Sequence, residues 1–524
     1  MTVRQISTRE GTLLEATTLW DLLERRVDAT PGALTAIDSD GRSLSFAGLR
    51  ERAEQAAAGM ARIGIGEGTV VSWQLPTWIE SMVLVCALSR LSATQNPIIP
   101  IYRDREVGFI AHQARPRLLI VPSEWKGFGY ETMAKVIAAS ADGLEVLVAD
   151  PELPEGDPSV LGMPPSAVGS DEMPVRWLFY TSGTTAEPKG AQHTDATIMA
   201  IARGMCERLA MVPEDRNALC FPFTHIGGIV WLFSSLLVGF VNLIDEAFDP
   251  VQTTEFLHRE GVTVAGSGTF FHMAYLKYAR EHREVKLFPS VRCYPGGGAP
   301  KPPQLHYDLK REIGGAGIAS GYGLTEAPIL TMASVDDSDE VLALTEGHAM
   351  PGVDLRLVSL DGAVAGPGEE GEIRAKAPQL MKGYLDPSLD AKAFDENGYF
   401  RTGDLGRLDD AGNVTITGRV KDIIIRKGEN ISAKEVEDLL FQHDKVADVA
   451  VIGLPDAERG EMACAVVVAA DAAAGVALDE LATFLKAKGL RTQAVPERLE
   501  LVDALPRNPA GKVVKTELRQ RLAP

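Results

Sequence analysis

Between Asn217 and Ile244 the chain carries no Asp, Glu, Lys or Arg. A charge-free stretch of that length has two homes, a bilayer or a protein interior. Its apolar core runs Ile229-Val230-Trp231-Leu232-Phe233 and then Leu236-Leu237-Val238. Pro222, His225, Ser234, Ser235 and Asn242 interrupt it, and glycines stand at 227, 228 and 239. These interruptions favour a buried helix leading into a buried strand over a membrane span. Earlier in the chain, helix-like segments at Leu19–Asp28 and Phe46–Ile63 are followed by short apolar strands at Val70–Leu75, Leu118–Val121 and Val146–Val148. That alternation reads as βαβ units on a mostly parallel sheet.

At 524 residues the chain is too long for one core and is expected to divide into three or four domains or subdomains. The net charge of −20 argues against nucleic acid or an anionic membrane as a partner, so an anionic substrate needs local positive charge inside motifs. The five cysteines, Cys86, Cys206, Cys220, Cys293 and Cys464, are widely spaced and include no CxxC pair. They fit buried thiols in a reducing compartment better than disulfides or a zinc site, and a cytoplasmic setting is expected. Met1-Thr2-Val3-Arg4-Gln5 lacks the apolar core of a signal peptide, and Leu522-Ala523-Pro524 is no peroxisomal address.

The expected fold class is α/β. Residues 151–174, rich in Pro, Gly, Ser and acid, read as a linker, and a second βα-type region runs to about 335. Residues 341–420 are dense in Gly and Asp, with short strands at Asp354–Val358, Gly371–Ala375 and Val414–Thr417, and read as a small β-rich subdomain. After Arg419-Val420-Lys421 the pattern returns to helix and strand at Ala433–Phe441, Ala447–Gly453, Ala463–Ala469 and Leu478–Lys488. The expected division is an N-terminal domain over 1–420, with subdomains near 1–170, 171–340 and 341–420, and a smaller α+β C-terminal domain over 421–524.

The chemistry is concentrated at Tyr180-Thr181-Ser182-Gly183-Thr184-Thr185-Ala186-Glu187-Pro188-Lys189-Gly190, which follows the strand-like Val175–Phe179. Backbone N–H groups and hydroxyls in such a loop donate to phosphate oxygens, glycine admits close approach and lysine adds charge. No Walker spacing can be drawn through it. The loop alone serves equally as a polar surface turn.

Five further segments remove that ambiguity. They are Phe221–Gly228, Gly296-Gly297-Gly298-Ala299-Pro300, Ser320-Gly321-Tyr322-Gly323-Leu324-Thr325-Glu326, the pair Tyr399–Asp404 and Gly418–Asp422, and Asn508-Pro509-Ala510-Gly511-Lys512. In this order and at these separations, from about residue 20 to 515, the chain resembles the acyl-adenylate-forming superfamily of acyl-CoA synthetases, peptide-synthetase adenylation domains and luciferases. The resemblance implies a two-step reaction. ATP activates a carboxylate as acyl-AMP with loss of pyrophosphate, and a thiol then displaces AMP. Both steps build or move negative charge, so positioning and electrostatic stabilisation carry them. No nucleophile elbow of the Gly-x-Ser-x-Gly type is present or needed.

By the same resemblance Thr181, Ser182, Gly183, Thr184, Thr185 and Lys189 close over the β- and γ-phosphates of ATP. Thr325 donates to the α-phosphate and Glu326 holds Mg²⁺, a hard ion that prefers oxygen. Gly298, Ala299 and Pro300 pass along the adenine, Tyr322 stacks on it with Gly323 beside it, and Asp404 and Arg419 take the ribose. Lys512 reaches the carboxylate and α-phosphate during adenylation. Lys421 is the hinge about which a mobile C-terminal domain swings, bringing Lys427, Gly428 and Glu429 to the coenzyme A side. His225 borders and gates an acyl pocket formed with Ile226, Gly227, Trp231, Phe270, Phe271, Gly296, Gly297 and Gly321. Taken singly, Glu326 and Lys512 read as surface groups, Asp404 as an Asx turn, His225 and Tyr322 as core, and Lys421 as a linker lysine.

Two positions depart from the family pattern. Ala186 stands where the loop usually has glycine, and Gly266-Ser267-Gly268-Thr269-Phe270-Phe271 replaces a Val-Pro-Thr motif. The pocket candidates include no Asp or Lys to pair with a second charge, and Gly227, Gly296 and Gly297 leave room. The expected substrate is therefore a hydrophobic monocarboxylic acid, medium-chain fatty, alicyclic or aryl, used with ATP, Mg²⁺ and coenzyme A. The alternatives are an acyl-AMP ligase that loads a separate carrier protein and a nucleotide-binding homologue without catalysis. Retention of Glu326, Asp404, Arg419 and Lys512 together argues against the last. The sequence leaves the oligomeric state open, a homodimer included.

Overall fold

The computed structural model describes residues 16–164, 173–181, 188–298, 301–359, 361–426, 429–456, 458–471, 475–507 and 513–523. The charge-free stretch folds as strand Arg216–Leu219, helix Ile226–Val238 and strand Val241–Ile244. Every residue of that helix except Gly227 is buried. Its carboxyl end meets a buried arginine. Arg26 donates from Nε to the Leu236 carbonyl at 2.8 Å and from Nη2 to the Leu237 carbonyl at 2.7 Å. These bonds satisfy carbonyls that a buried helix end otherwise leaves without donors. Among the described residues no helix is long and apolar enough to cross a membrane.

Two sheets flank this helix. The first has the order Glu145–Val148, Leu118–Val121, Val70–Trp73, Thr94–Pro97, Trp177–Thr181, Lys189–His193. It is parallel except for its last pair. The second has the order Ser43–Ser45, Leu34–Asp38, Val241–Ile244, Arg216–Leu219. Helices Leu19–Ala29, Phe46–Arg62, Ile79–Arg90, Asp195–Arg208 and Ile226–Val238 share one core with the facing sides of both sheets. Strand alternation decides the sides. Leu118 and Ile120 enter that shared core, whereas Leu119 and Val121 pack against the outer helices Asp104–Ala114 and Tyr130–Ala138. On the far side of the second sheet Ala218 and Leu243 pack with the outer helices Gln252–Arg259, Thr269–Glu281 and Pro303–Glu312. The result is an α/β stack of helices, sheet, helices, sheet, helices. The fold class agrees with the sequence reading.

Both sheets combine strands from either side of residue 170, so they do not divide at the boundary expected there. The stretch expected as a linker also packs. Gly156 N donates to the Gln55 carbonyl at 2.9 Å, and a Cβ on Gly59 would lie 2.3 Å from the Pro154 carbonyl oxygen. Residues 154–156 are therefore a strap seated on a glycine of helix Phe46–Arg62. Residues 165–172 lie outside the described residues.

A third sheet runs Tyr294–Gly297, Ile318–Leu324, Ala327–Met332, His348–Ala349. An antiparallel sheet of Asp354–Val358, Gly371–Lys376, Phe400–Leu408 and Val414–Arg419 follows, where a β-rich subdomain is expected. The last sheet combines Glu429–Ser432, Ile423–Arg426, Gly460–Ala469 and Val446–Asp456 with Arg498–Leu501, and it has its own core with helices Ala433–Leu440 and Leu478–Ala487. All five cysteines are buried and free.

Candidate active site

The first sheet ends in a hairpin whose strands place Thr181 opposite Lys189. Ser182, Gly183, Thr184, Thr185 and Ala186 lie outside the described residues. The far edge of strand Lys189–His193 is covered by residues 382–385. Gln192 N donates to the Gly383 carbonyl at 3.0 Å, Lys382 N to the Gln192 carbonyl at 2.8 Å, and Leu385 N to the Gly190 carbonyl at 2.8 Å. Tyr384 is thereby held beside Ala191, and the Lys189 ammonium lies 5.3 Å from the centre of its ring.

In the third sheet Leu324 pairs with Ala327, which puts Thr325 and Glu326 at the turn. A bulge precedes it at Gly323, where a Cβ would meet Ile329 N at 2.2 Å, so glycine is required there. Two contacts fix the turn to the first sheet. His193 Nε2 lies 2.9 Å from the Thr325 carbonyl, and the Tyr384 hydroxyl donates to Glu326 Oε1 at 2.8 Å. Burial pushes the His193 imidazole down to about 4, so the ring is neutral near pH 7. A carbonyl only accepts, hence Nε2 carries the proton. Glu326 is 8% exposed, and its backbone carbonyl accepts from Met381 N at 2.9 Å.

Tyr322, on the same strand, donates its hydroxyl to Asp404 Oδ2 at 2.9 Å. Register places Asp404 opposite Arg419, whose Nε pairs with Oδ1 at 2.9 Å. Burial, with the Asp404 charge beside it, holds the Tyr322 phenol well above its ordinary range, so it remains a donor. Tyr322 belongs to the same buried cluster as Leu330, Ile373 and Met381. Lys189, Tyr384 and Glu326 thus lead through Thr325 and Tyr322 to Asp404 and Arg419, a row assembled from three sheets. Lys421, exposed, follows on the turn Val420–Asp422, where desolvation and the charge of Arg419 lower its pKa.

The remaining expected residues divide. Gly298 is exposed, whereas Ala299, Pro300, Lys427, Gly428 and Lys512 lie outside the described residues. Glu429 is exposed, 3.9 Å from Arg491. His225 caps the buried helix, its Nδ1 accepting from Gly227 N at 3.1 Å, and its ring meets Phe221 edge-on. Ile226 and Trp231 belong to the central core, Trp231 edge-on to Phe240. Phe270 is 51% exposed and clusters with Phe271 and Phe248.

Gly296 and Gly297, read as leaving room for substrate, and the pocket candidate Gly321 each face a neighbouring strand. A Cβ on Gly296 would sit 2.9 Å from Ile318 Cγ2, one on Gly297 2.7 Å from the Gly321 carbonyl oxygen, and one on Gly321 3.2 Å from the Thr331 carbonyl oxygen. Their lack of side chains lets neighbouring strands approach, and a bulky residue at Gly297 would displace the sheet. A Gly297→Trp change therefore reports on sheet integrity rather than pocket depth.

Sequence reasoning missed Tyr384 and His193. His193 shares a strand face with Lys189, four residues away, a signal that period-two alternation carried. Tyr384 meets Glu326 across 58 positions, and nothing local marks it.

The donor chemistry suits Mg²⁺. Among the described residues no group of three or more His, Cys, Asp or Glu could hold a metal. A single buried carboxylate shared with substrate phosphates is the arrangement that ion commonly takes.

The arrangement brings together a hairpin with a Ser/Thr/Gly sequence between its strands, a buried carboxylate and a lysine that meet the same tyrosine, and a second carboxylate bonded to arginine. The profile of the AMP-binding enzyme family matches residues 23–385, and that of the AMP-binding enzyme C-terminal domain matches residues 435–512. The chain belongs to the AMP-binding enzyme family and is an acid–thiol ligase of the adenylate-forming type. It is 28% identical over 530 residues to the medium-chain fatty-acid–CoA ligase of Escherichia coli, covering 99% of this chain and 92% of that one. It is 31% identical over 547 residues to the salicyl-AMP ligase / salicyl-S-ArCP synthetase of Mycobacterium tuberculosis, covering 99% and 93%. The o-succinylbenzoate coenzyme A synthetase of Bacillus subtilis, solved with ATP and magnesium ion, superposes with a TM-score of 0.82 at 27% identity over 96% of this chain and 98% of that one.

Proposed function

We propose that the chain joins a hydrophobic monocarboxylic acid to coenzyme A in two half-reactions at one site. In the first, a carboxylate oxygen attacks the α-phosphorus of ATP, the bond to pyrophosphate breaks and acyl-AMP forms. In the second, the coenzyme A thiol attacks the acyl carbon, the thiol proton is lost and AMP leaves. Thr181 and Lys189 hold the outer phosphates with the loop between them, and Thr325 donates to the α-phosphate. Asp404, fixed by Tyr322 and Arg419, accepts from the ribose hydroxyls. Glu326 would hold Mg²⁺, which neutralises phosphate charge when bound. Lys512 draws the carboxylate to the α-phosphate, two anions that otherwise repel. Lys421 is the hinge that exchanges Lys512 for the Lys427-Gly428-Glu429 side between the two steps, so each step has its own charge environment. The divide between N-terminal and C-terminal domains falls at this turn.

One observation carries the reading: Glu326 and Asp404, 8% and 6% exposed, are held in one row by Tyr384, Tyr322 and Arg419. Buried carboxylates with such partners are kept for a purpose other than surface solubility. Coenzyme A as acceptor is supported by the Escherichia coli relative, and a carrier-protein thiol by the mycobacterial one. The test is pyrophosphate release with ATP and Mg²⁺ over a panel of carboxylic acids, with products identified by mass. Acyl-AMP that converts to acyl-CoA on adding coenzyme A supports the reading. Acyl-AMP that coenzyme A leaves untouched assigns the acceptor to a carrier protein.

A further inference from the structure

Tyr384 touches both charged ends of the phosphate side of the site. Its hydroxyl donates to Glu326 Oε1 at 2.8 Å, and the Lys189 ammonium lies 5.3 Å from its ring centre. The side chain is 4% exposed. Its backbone is fixed on both sides. Gln192 Nε2 donates to the Tyr384 carbonyl at 2.9 Å, and Tyr384 N donates to Asp390 Oδ1 at 2.9 Å. The preceding Gly383 has φ of +127°, and a Cβ there would meet Asp390 Oδ2 at 2.8 Å. Only glycine admits that close turn, so the phenol is aimed by the fold.

A lysine and a glutamate that serve one polyphosphate have a competing fate, which is to pair with each other. A phenol in contact with both answers this. It engages one carboxylate oxygen by a hydrogen bond and presents a π-face to the ammonium, a weak contact that a phosphate readily replaces.

We infer that Tyr384 is a positioning residue for adenylation, one that sets the carboxylate of Glu326 and the ammonium of Lys189 toward the same nucleotide. The inference rests on the reading that ATP and Mg²⁺ bind at Glu326 and Lys189. It is tested on the full chain with Tyr384→Phe, Tyr384→Leu, Glu326→Gln and the double variant Tyr384→Phe/Glu326→Gln. The readouts are ATP affinity by calorimetry across a Mg²⁺ titration without acid, the KM for ATP against kcat, and thermal unfolding. Loss of one hydrogen bond to a charged group corresponds to about a tenfold change. Tyr384→Phe is expected to raise the Mg²⁺ needed for half-maximal ATP binding about tenfold and to raise the KM for ATP. Saturating Mg²⁺ should restore most of this loss, and the thermal stability of the free protein should fall only by what one buried hydrogen bond contributes. Tyr384→Leu, which also removes the ring from Lys189, should remain weak at saturating Mg²⁺. In the double variant the phenylalanine should add nothing. If Glu326→Gln removes the Mg²⁺ dependence but Tyr384→Phe leaves it within twofold, the role of Tyr384 is refuted and the reading of Glu326 stands. If Glu326→Gln also leaves it unchanged, the reading of Glu326 fails and the inference fails with it.

Discussion

Replacing Asp404 by alanine should separate the ribose contact from the structure around it. Asp404 is 6% exposed and accepts from the Tyr322 hydroxyl and the Arg419 guanidinium, each at 2.9 Å. By the proposed reading its oxygens also accept from the ribose hydroxyls when nucleotide is bound. Hydrogen bonds to a charged group contribute about 1.5–3 kcal/mol each, so losing two at the lower end costs about 3 kcal/mol, roughly a 150-fold fall in kcat/KM for ATP. The structural cost is distinct. The Tyr322 hydroxyl loses its acceptor in a buried place, at about 1–3 kcal/mol. Arg419, 38% exposed, adds little because solvent screens it. Tyr322→Phe is the control: it removes the buried donor and keeps the ribose acceptor. Steady-state kinetics with ATP varied, beside thermal unfolding of each variant, decides the matter. Asp404→Ala should lose about two orders of magnitude in kcat/KM and Tyr322→Phe less than one. Equal losses in the two variants, or an Asp404→Ala enzyme within fivefold of the parent, would refute the ribose assignment.

Three further outcomes follow from the same arrangement. Lys512→Ala should reduce acyl-AMP formation about 10²-fold or more and spare coenzyme A attack on supplied acyl-AMP; single-turnover assays of each half-reaction check this, and equal loss in both would remove its assigned role. Lys421→Pro should stiffen the turn, spare adenylation and slow thioester formation; an unchanged ratio of the two rates counts against the hinge. His193 is held neutral, with its pKa pushed down to about 4 from about 6.5 in the unfolded chain. The unfolded chain therefore binds the extra proton first, and stability is lost as pH falls from about 6.5 towards 4. This amounts to about 2 kcal/mol between pH 7 and pH 5. His193→Gln should flatten the unfolding profile over that range, and an unchanged slope would show that the ring is not held neutral.

The fold was legible wherever composition and period agreed. Strands Leu118–Val121 and Asp354–Val358 fall where the sequence places them, and the charge-free stretch is the buried helix and strand its interruptions imply. Strand partners were not legible, because pairing depends on the whole stack rather than on local pattern. Leu34–Asp38 and Val241–Ile244 are adjacent in one sheet though far apart in sequence. The strap at 154–156 has loop composition, and only its contact with Gly59 makes it structure. In the site, the carboxylates Glu326 and Asp404 stood out through the family resemblance of the motifs that hold them. Tyr384, His193 and Arg26 did not, because each acts on a group supplied by a distant segment: the Glu326 carboxylate, the Thr325 carbonyl and the carbonyls of Leu236 and Leu237. Gly296 and Gly297 read as space for substrate, and their Cβ directions are filled by the neighbouring strand.

In the proposed reaction the site joins a carboxylate to AMP before any thiol takes part. Exchange of labelled pyrophosphate into ATP, measured without coenzyme A or carrier protein, tests it most directly. Exchange is expected to require a hydrophobic carboxylic acid and Mg²⁺ and to fall with Asp404→Ala. ATP cleavage to ADP and phosphate, with no acid-dependent exchange across the acid panel, would contradict it.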